Sequence, residues 1–270
     1  MDFYGVLGEK LPHSISPEIH EKIFELLNIK GAYKIFEVDK EDLCKVSDSL
    51  KVLKIKGTNV TIPYKQDIMK YLDSTSEEAE KIGAVNTIYL KDGKLSGHNT
   101  DYFGFGTIIN KNNVKVENTT AMVLGTGGAS KAVVTYLLDK GVNKLYLVSR
   151  YEKTKCDYDD ARVEYTTYEK IKDIKGEILV NTTPVGMYPK VGVSPVDESV
   201  IGNFNTLIDI IYNPRMTEFL KIGQKLNKKV CGGLEMLVGQ AVKAEEIWQE
   251  MNIENDVLEK VYECINKQFQ

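Results

Sequence analysis

The segment that most constrains the fold is residues 121–150, AMVLGTGGASKAVVTYLLDKGVNKLYLVSR. An apolar run leads into Gly125-Thr126-Gly127-Gly128, a helix-length run rich in small residues follows, and a second apolar run ends the segment. This order predicts a βαβ unit whose glycines let the backbone approach a pyrophosphate and whose helix N-terminus offers free N–H groups. The segment therefore predicts a dinucleotide-binding domain built on a parallel sheet.

The alternation of strand-like and helix-like runs continues along the whole chain and predicts an α/β fold. The predicted strands are 2–7, 33–38, 57–62, 120–125, 144–149, 177–182 and 206–211. The predicted helices are 17–28, 100–110, 128–140 and two more after residue 234, separated by 252–255. A tight-turn signal at Asp92-Gly93 predicts a hairpin across 86–99, which interrupts the alternation.

Composition and charge exclude several classes of protein. Lysine and arginine total 35 against 39 acidic residues, so the net charge of −4 gives no basic surface for DNA or RNA. No run approaches the roughly 20 apolar residues of a membrane span. Charged residues within the first ten positions are unlike an export signal, so we expect a cytoplasmic location.

The cysteines and histidines do not indicate a metal site. The cysteines lie far apart, which favours reduced thiols over a disulfide scaffold or a zinc site; they are Cys44, Cys156, Cys231 and Cys264. The histidines lack metal-ligand spacing; they are His13, His20 and His98. The sequence therefore predicts no metal, and any acid–base chemistry must use other groups.

Polar residues collect just past several apolar runs, at the edge where open α/β sheets bind ligands. The segments are NVTIPYK (59–65), GAVNT (83–87) and GHNTD (97–101), and each ends in Thr, Asn, Lys or Asp. Taken singly, Lys65 also fits an ordinary surface lysine, and Asp101 an ordinary helix cap. The pattern alone leaves both interpretations open.

A second polar motif, HSISP (13–17), precedes the first predicted helix. We expect Ser16 at the N-cap and Pro17 at the first helical position. The hydroxyls of Ser14 and Ser16 would also suit a substrate carboxylate, because the end of the helix dipole favours an anion there.

The end of the second strand of the βαβ unit indicates which nicotinamide cofactor binds. An acid at that position would bind the ribose 2′-hydroxyl of NAD, whereas an arginine suits the 2′-phosphate of NADP. The strand ends in Ser149-Arg150, Glu152 follows, and Lys153 and Lys155 add positive charge. We predict NADP, while Arg150 also fits a solvated charge at a strand end.

Nine segments in one order closely resemble the shikimate dehydrogenase family. They are SIS, NVTIPYK, GAVNT, NTD, GTGGAS, SR, NTTPVGM, DIIYNP and GGLEMLVGQA, which span residues 14–241. The resemblance implies a three-layer α/β/α substrate domain from 1–100 completed by 236–270, and a Rossmann-type NADP-binding domain from 101–235. It also implies reversible NADPH-linked reduction of 3-dehydroshikimate to shikimate in aromatic amino-acid biosynthesis, by a monomer or homodimer.

Matching the family motifs residue by residue implies roles for individual side chains. Lys65 and Asp101 match the catalytic pair. The implied substrate ligands are Ser14, Ser16, Thr61, Asn86, Tyr212 and Gln240. The implied cofactor-side residues are Glu77, Gly125, Thr126, Gly127, Gly128, Ala129, Ser149, Arg150, Ile210 and Gly233. Ketone reduction needs a proton as well as the cofactor's hydride, and we expect Lys65 to donate it.

Two departures from the family pattern bear on how strongly the 2′-phosphate is recognised, and alternative functions stay open. The family usually has Asn-Arg-Thr where this chain has Ser149-Arg150-Tyr151, and the next segment lacks a clear amphipathic helix. One alternative is a quinate/shikimate dehydrogenase, or a related enzyme, that accepts NAD. Another is a non-catalytic nucleotide-sensing module, although the presence of both Lys65 and Asp101 argues against it. A tetrahydrofolate-linked dehydrogenase has no motif of its own here.

Overall fold

The structure is a computed structural model that describes residues 1–12, 14–152 and 158–269. His13, Lys153, Lys155 and Cys156, named above, lie outside the described residues. The chain forms two compact units, one from Met1–Gly104 with Val238–Gln268 and the other from Phe105–Leu237 with Phe269. The assignment of substrate to the first unit and cofactor to the second stays a prediction at this point.

The elements alternate as the sequence pattern indicates. The strands are β1 (Asp2–Gly8), β2 (Gly31–Glu37), β3 (Ile55–Val60), β4 (Ser74–Thr75), β5 (Thr87–Lys91), β6 (Lys94–His98), β7 (Thr120–Leu124), β8 (Lys144–Ser149), β9 (Val163–Thr167), β10 (Gly176–Asn181), β11 (Phe204–Asp209) and β12 (Lys229–Cys231). The α-helices are α1 (Ser16–Leu27), α2 (Val46–Val52), α3 (Glu77–Ile82), α4 (Thr100–Lys111), α5 (Gly128–Asp139), α6 (Glu198–Ile201), α7 (Glu218–Lys225), α8 (Leu234–Gln249) and α9 (Asn255–Asn266). Short 3-10 helices are Lys40–Lys45, Asp67–Tyr71 and Lys267–Phe269.

The first unit is built on a mixed sheet whose described strands are ordered β2-β1-β3-β5-β6-β4. β1 lies parallel to β2 and β3, whereas β5 runs antiparallel to β3 and β6. The carboxyl ends of β1, β3 and β6 therefore meet the start of β5 at one edge of the sheet. The candidate catalytic and substrate residues of this unit come from segments adjoining that edge and from α8.

Side chains of β1 pack on both faces of this sheet, as the geometry of a strand requires. Tyr4 joins an apolar cluster with Trp248 of α8, while Leu7 joins a separate cluster that includes residues of α2. Trp248 is fully buried, and its indole N–H donates a hydrogen bond to the carbonyl of Ile88 at 2.9 Å. These contacts fix α8 on one face and α2 on the other, which gives the layered arrangement.

The second unit has a sheet in which every pair of neighbouring strands among the described residues is parallel. The strand order is β12-β11-β10-β7-β8-β9. Counted from β7 as the first strand of the unit, this is the 3-2-1-4-5-6 order of the doubly wound dinucleotide-binding fold. The core contains Met122, Leu179, Phe204 and Phe219, all fully buried. The predicted α/β fold class with a Rossmann-type domain is confirmed.

The seven predicted strands are all present within two residues of their predicted limits, and so are the predicted helices and the hairpin at Asp92-Gly93. Asp92 and Gly93 both have positive φ, 49° and 74°, as a tight hairpin turn of this kind requires. The sequence did not predict the short strands β4, β9 and β12 or the helices α2, α3, α6 and α7. No described helix combines the length and apolar character needed to cross a membrane.

The prediction that Ser16 is the N-cap of the first helix is wrong. α1 begins at Ser16 itself, Ile15 is the N-cap residue, and Pro17 lies in the first turn. The Ser14 hydroxyl accepts a hydrogen bond from the N–H of Ser16 at 3.4 Å, and the helix begins one residue earlier than expected.

Candidate active site

The centre of the candidate site in the first unit is an ion pair between Lys65 and Asp101. Lys65 Nζ donates to Asp101 Oδ2 at 2.6 Å, and the two side chains are 20% and 14% exposed. Lys65 follows β3, where its carbonyl accepts a hydrogen bond from the N–H of Val85 at 2.7 Å. Asp101 lies in the first turn of α4, directly after β6. The partial burial makes this pair less screened by water than an exposed pair.

The two residues meet because of the strand order. β3 and β6 are both paired antiparallel to β5, so their carboxyl ends lie at the same edge of the sheet. The sequence predicted both residues past a strand end, and the structure brings them into contact. The interpretations of Lys65 as an isolated surface lysine and of Asp101 as only a helix cap do not fit this contact.

Hydroxyl groups adjoin the same edge. Ser14 and Ser16 follow β1, and their hydroxyl oxygens are 3.2 Å apart. Thr61 follows β3, and its N–H donates to the carbonyl of Leu7 at 2.9 Å, which holds the segment against β1. Ser14, Ser16 and Thr61 therefore follow strands that end at the same edge of the sheet as the Lys65–Asp101 pair.

The sequence pattern predicted that Asn86 follows a strand, and this prediction is wrong. Asn86 precedes β5 rather than following a strand, but β5 is antiparallel, so its start lies at the same edge. Asn86 is 3% exposed, and its Oδ1 accepts a hydrogen bond from the N–H of Thr100 at 2.7 Å. Gln240 of α8 contacts the same Thr100, whose Oγ1 donates to Gln240 Oε1 at 3.4 Å.

Two other predicted residues lie outside this cluster of contacts. The side chain of Glu77, at the start of α3, is 84% exposed and pairs with Lys81 at 3.1 Å. The cofactor role that the family pattern implies for Glu77 stays a prediction. Tyr212 belongs to the second unit, where its ring packs edge-on against Phe269 with 5.7 Å between centroids.

The second unit contains a cavity of about 590 Å³ over the glycine turn. Its lining residues include Gly125, Thr126, Gly127, Ser149, Arg150, Tyr168, Thr182 and Thr183. Gly125 has φ of 101°, a conformation that glycine adopts readily, and a Cβ there would lie 2.9 Å from Thr183 Cγ2. At Gly127 and Gly128, in contrast, a Cβ would meet no atom within 4 Å. The backbone here is therefore open to a ligand.

The start of α5 suits an anionic group in that open space. Gly127 is the N-cap residue and provides no side-chain cap, and Gly128 and Ala129 form the first turn. Ser130 turns its hydroxyl back to the carbonyl of Gly127 at 2.7 Å. The N–H groups of the first turn and the helix dipole both favour a phosphate at such a place. The residues present thus fit the pyrophosphate of a dinucleotide.

The charge pattern at the end of β8 favours a 2′-phosphate. Arg150 is exposed and lines the cavity. The buried Ser149 donates its hydroxyl to the carbonyl of Tyr151, and Glu152 pairs with Lys170. The Lys170 ammonium holds the pKa of Glu152 below its ordinary value, so the only acid close to Arg150 in the sequence is already paired.

Tyr168 is a cavity residue that the sequence did not identify. It follows β9, lines the cavity together with Arg150, and burial raises the pKa of its hydroxyl, an effect that the Arg150 charge opposes. The missed strand β9 explains the omission, because the residue has no recognisable motif. Tyr151, which replaces the usual threonine, is 78% exposed.

Ile210 and Gly233 lie together near the ends of β11 and β12. The N–H of Gly233 donates to the carbonyl of Ile211 at 3.1 Å, and a Cβ on Gly233 would lie 2.1 Å from the carbonyl oxygen of Ile210. Gly233 is therefore required by this close backbone approach, whatever else it contacts.

Asp209, at the end of β11, was also missed. It is fully buried and accepts hydrogen bonds from Asn181 Nδ2 at 3.1 Å, Thr217 Oγ1 at 2.7 Å and the N–H of Ile211 at 3.1 Å. Burial raises the pKa of this carboxyl to about 6, despite these donors. Asp209 thus holds the segment that carries Ile210 and Tyr212.

The described residues contain no group of three or more His, Cys, Asp or Glu side chains that could hold a metal ion. Cys44, Cys231 and Cys264 are free thiols. A doubly wound sheet with an open glycine turn suits a nicotinamide dinucleotide, and a partly buried lysine–aspartate pair suits acid–base chemistry. Together they indicate a nicotinamide-dependent dehydrogenase.

Comparison with known proteins identifies the family. Residues 6–88 match the family model described as the shikimate dehydrogenase substrate binding domain. The chain is 63% identical over 269 residues to the shikimate dehydrogenase (NADP(+)) of Clostridium beijerinckii, and the match covers 100% of each chain. This chain belongs to the shikimate dehydrogenase family.

Solved structures agree with this conclusion. Shikimate dehydrogenase 1 from Peptoclostridium difficile is 52% identical with a TM-score of 0.92, covering 100% of this chain and 99% of that one. Shikimate 5-dehydrogenase from Thermus thermophilus, solved in complex with NADP(H) and shikimate, is 28% identical with a TM-score of 0.84, covering 97% and 99%. The family predicted from the sequence is confirmed, as are an oxidoreductase class and NADP as the cofactor of the family.

Proposed function

We propose that this chain catalyses the reversible NADPH-linked reduction of 3-dehydroshikimate to shikimate in aromatic amino-acid biosynthesis. The observation that carries the proposal is the 2.6 Å contact between Lys65 Nζ and Asp101 Oδ2, in a unit whose nearby polar groups are hydroxyls and amides. Those groups suit a substrate with several hydroxyls and one carboxylate. Family membership supplies the reaction class.

Lys65 is the proton donor in this proposal. NADPH supplies the hydride to the carbonyl carbon when it is bound. The carbonyl oxygen gains negative charge as the bond forms, and the Lys65 ammonium donates a proton to it. In the reverse direction the lysine amine accepts the proton of the alcohol. Asp101 orients the ammonium group and balances its charge, so the pair acts as one acid–base unit.

The substrate ligands proposed beside this pair are Ser14, Ser16, Thr61, Asn86 and Gln240. The two serine hydroxyls at the start of α1 suit the carboxylate, since the helix N-terminus favours an anion. The amides and the threonine suit hydroxyl groups. A buried polar group left unpaired by a substrate without its partner costs about 1 to 3 kcal/mol, so these ligands would discriminate against acids that lack a matching hydroxyl.

The cofactor residues proposed are the turn Gly125–Ala129 and Arg150. The turn and the start of α5 would hold the pyrophosphate, and Arg150 would bind the 2′-phosphate through a forked, charge-assisted contact. Ser149 supports the turn that follows β8, and the proposed cofactor residues Ile210 and Gly233 lie together near the ends of β11 and β12. Glu77 stays a predicted cofactor residue, and its side chain is 84% exposed and paired with Lys81.

The test is a two-by-two activity matrix on the purified protein, with shikimate or quinate against NADP+ or NAD+. We expect the highest kcat/KM for shikimate with NADP+. Equal kcat/KM for both acids would favour a quinate/shikimate dehydrogenase, and equal use of NAD+ would contradict the role of Arg150. Cofactor binding without turnover of either acid would favour a nucleotide-sensing module. The cytoplasmic location and the choice between monomer and homodimer stay predictions.

A further inference from the structure

A chain of buried hydrogen bonds leads from Tyr33 to Asn86 in the first unit. The Tyr33 hydroxyl donates to Asn59 Oδ1 at 2.7 Å, and Asn59 Nδ2 donates to Thr87 Oγ1 at 3.1 Å. The Thr87 hydroxyl is 3.0 Å from Asn86 Oδ1 and donates to it. All four residues are buried, and Thr87 is 0% exposed. The chain therefore runs in one direction and ends on the amide oxygen of Asn86.

Thr100 approaches the same oxygen with a second donor. Its backbone N–H lies 2.7 Å from Asn86 Oδ1, and its hydroxyl lies 3.1 Å from it. Because a backbone N–H can only donate, the end of the Asn86 amide that faces it must be the oxygen. The NH₂ end then faces away from Thr87 and Thr100, and among the described residues Asn86 Nδ2 donates to no protein atom.

We propose that Thr87 is a positioning residue for substrate binding: it holds the Asn86 amide with its NH₂ group free to donate. The substrate group that meets Asn86 is then an oxygen acceptor, either a hydroxyl or a carbonyl. A flipped amide would place Nδ2 against the N–H of Thr100, donor against donor, and would leave Thr100 Oγ1, 3.2 Å away, as the acceptor for the Thr87 proton. This inference rests on the proposed function, because it takes Asn86 as a substrate ligand.

The first measurement is steady-state kinetics of Thr87→Val, which keeps the shape of the side chain and removes the hydroxyl. The net worth of one hydrogen bond corresponds to about a two- to tenfold change in an equilibrium constant. We expect KM for shikimate to rise by about that factor. We expect kcat and the KM for NADP+ to stay within about twofold, because the lost orientation weakens ground-state and transition-state binding alike.

Thr58→Val is the matched control. Thr58 lies on the neighbouring strand β3, is 1% exposed, and its Oγ1 makes no hydrogen bond. It loses the same hydroxyl from the same sheet and should leave both KM values unchanged. Thr87→Ser, which restores the hydroxyl, should restore the KM for shikimate to near the wild-type value.

The decisive measurement is a double-mutant cycle with Asn86→Ala. Thr87→Val should add no further increase in KM for shikimate once the Asn86 amide is gone. An equal increase in both backgrounds, or a fall in kcat with unchanged KM, would overturn the inference, since Thr87 would then act on the fold in general. An unchanged KM in Asn86→Ala would also overturn it while leaving the dehydrogenase activity established. Absence of shikimate oxidation in the wild type would overturn the proposed function and, with it, the inference.

Discussion

Replacement of Lys65 by alanine tests the chemistry directly. The Lys65 ammonium is the only cation within hydrogen-bond distance of Asp101 among the described contacts, and it lies 2.6 Å from Oδ2. Loss of a positioned general acid lowers turnover by about 10²- to 10⁴-fold. We expect Lys65→Ala to lower kcat within that range in both directions of the reaction. Asp101→Asn keeps the shape of the side chain and removes its charge, so kcat should also fall.

The matched control is Lys70→Ala, which removes an ammonium paired with Asp67 at 3.0 Å on the exposed side of the nearby 3-10 helix. That pair is solvated and should contribute little. Each variant is assayed for kcat and KM by absorbance of NADPH, and its binding of NADP+ and its thermal unfolding are measured to verify the fold. A kcat for Lys65→Ala within threefold of wild type would remove Lys65 from the mechanism. If Asp101→Asn raises only KM, Asp101 is a binding residue.

Three further predictions concern cofactor choice and stability. Arg150→Ala should weaken NADP+ binding by about ten- to a hundredfold, which is the worth of a charge-assisted hydrogen bond, with little change in NAD+ binding. Titration of both cofactors tests this, and an equal loss of affinity would mean that Arg150 contacts a part of the cofactor that NADP+ and NAD+ have in common. Glu245→Ala should lower the free energy of unfolding, measured by denaturant titration, by about 3 kcal/mol, because His20 and Glu245 are 2.6 Å apart and both 0% exposed. The control Glu263→Ala, at an exposed position, should leave the free energy of unfolding nearly unchanged. Because the pKa of Asp209 is raised to about 6 in the folded state, the wild type should lose stability relative to Asp209→Asn as pH rises from 4 to 7, by about 3 kcal/mol at most. If the free energies of unfolding of the two proteins changed in parallel with pH, the raised pKa of Asp209 would be refuted.

The sequence predicted the fold well because its strongest signals are local. Apolar runs of strand length and the glycine turn at 125–128 depend only on neighbours along the chain, and the structure has strands at all the predicted places. The elements that were missed are short or lie at sheet edges. β9 follows a charged segment and has little apolar pattern, so Tyr168 could not be placed beside Arg150.

The candidate site could be predicted as a set of residues but not as a set of contacts. A motif indicates that Asn86 matters, but which end of its amide faces outward depends on Thr87 and Thr100, and these meet only because β5 is antiparallel to its neighbours. His20 and Glu245 are 225 residues apart, and no periodicity relates them. The chemistry of the site therefore depends on pairings made by sheet order and helix packing, and a substitution at Thr87, to which its motif assigns no role, should alter substrate affinity through the Asn86 amide.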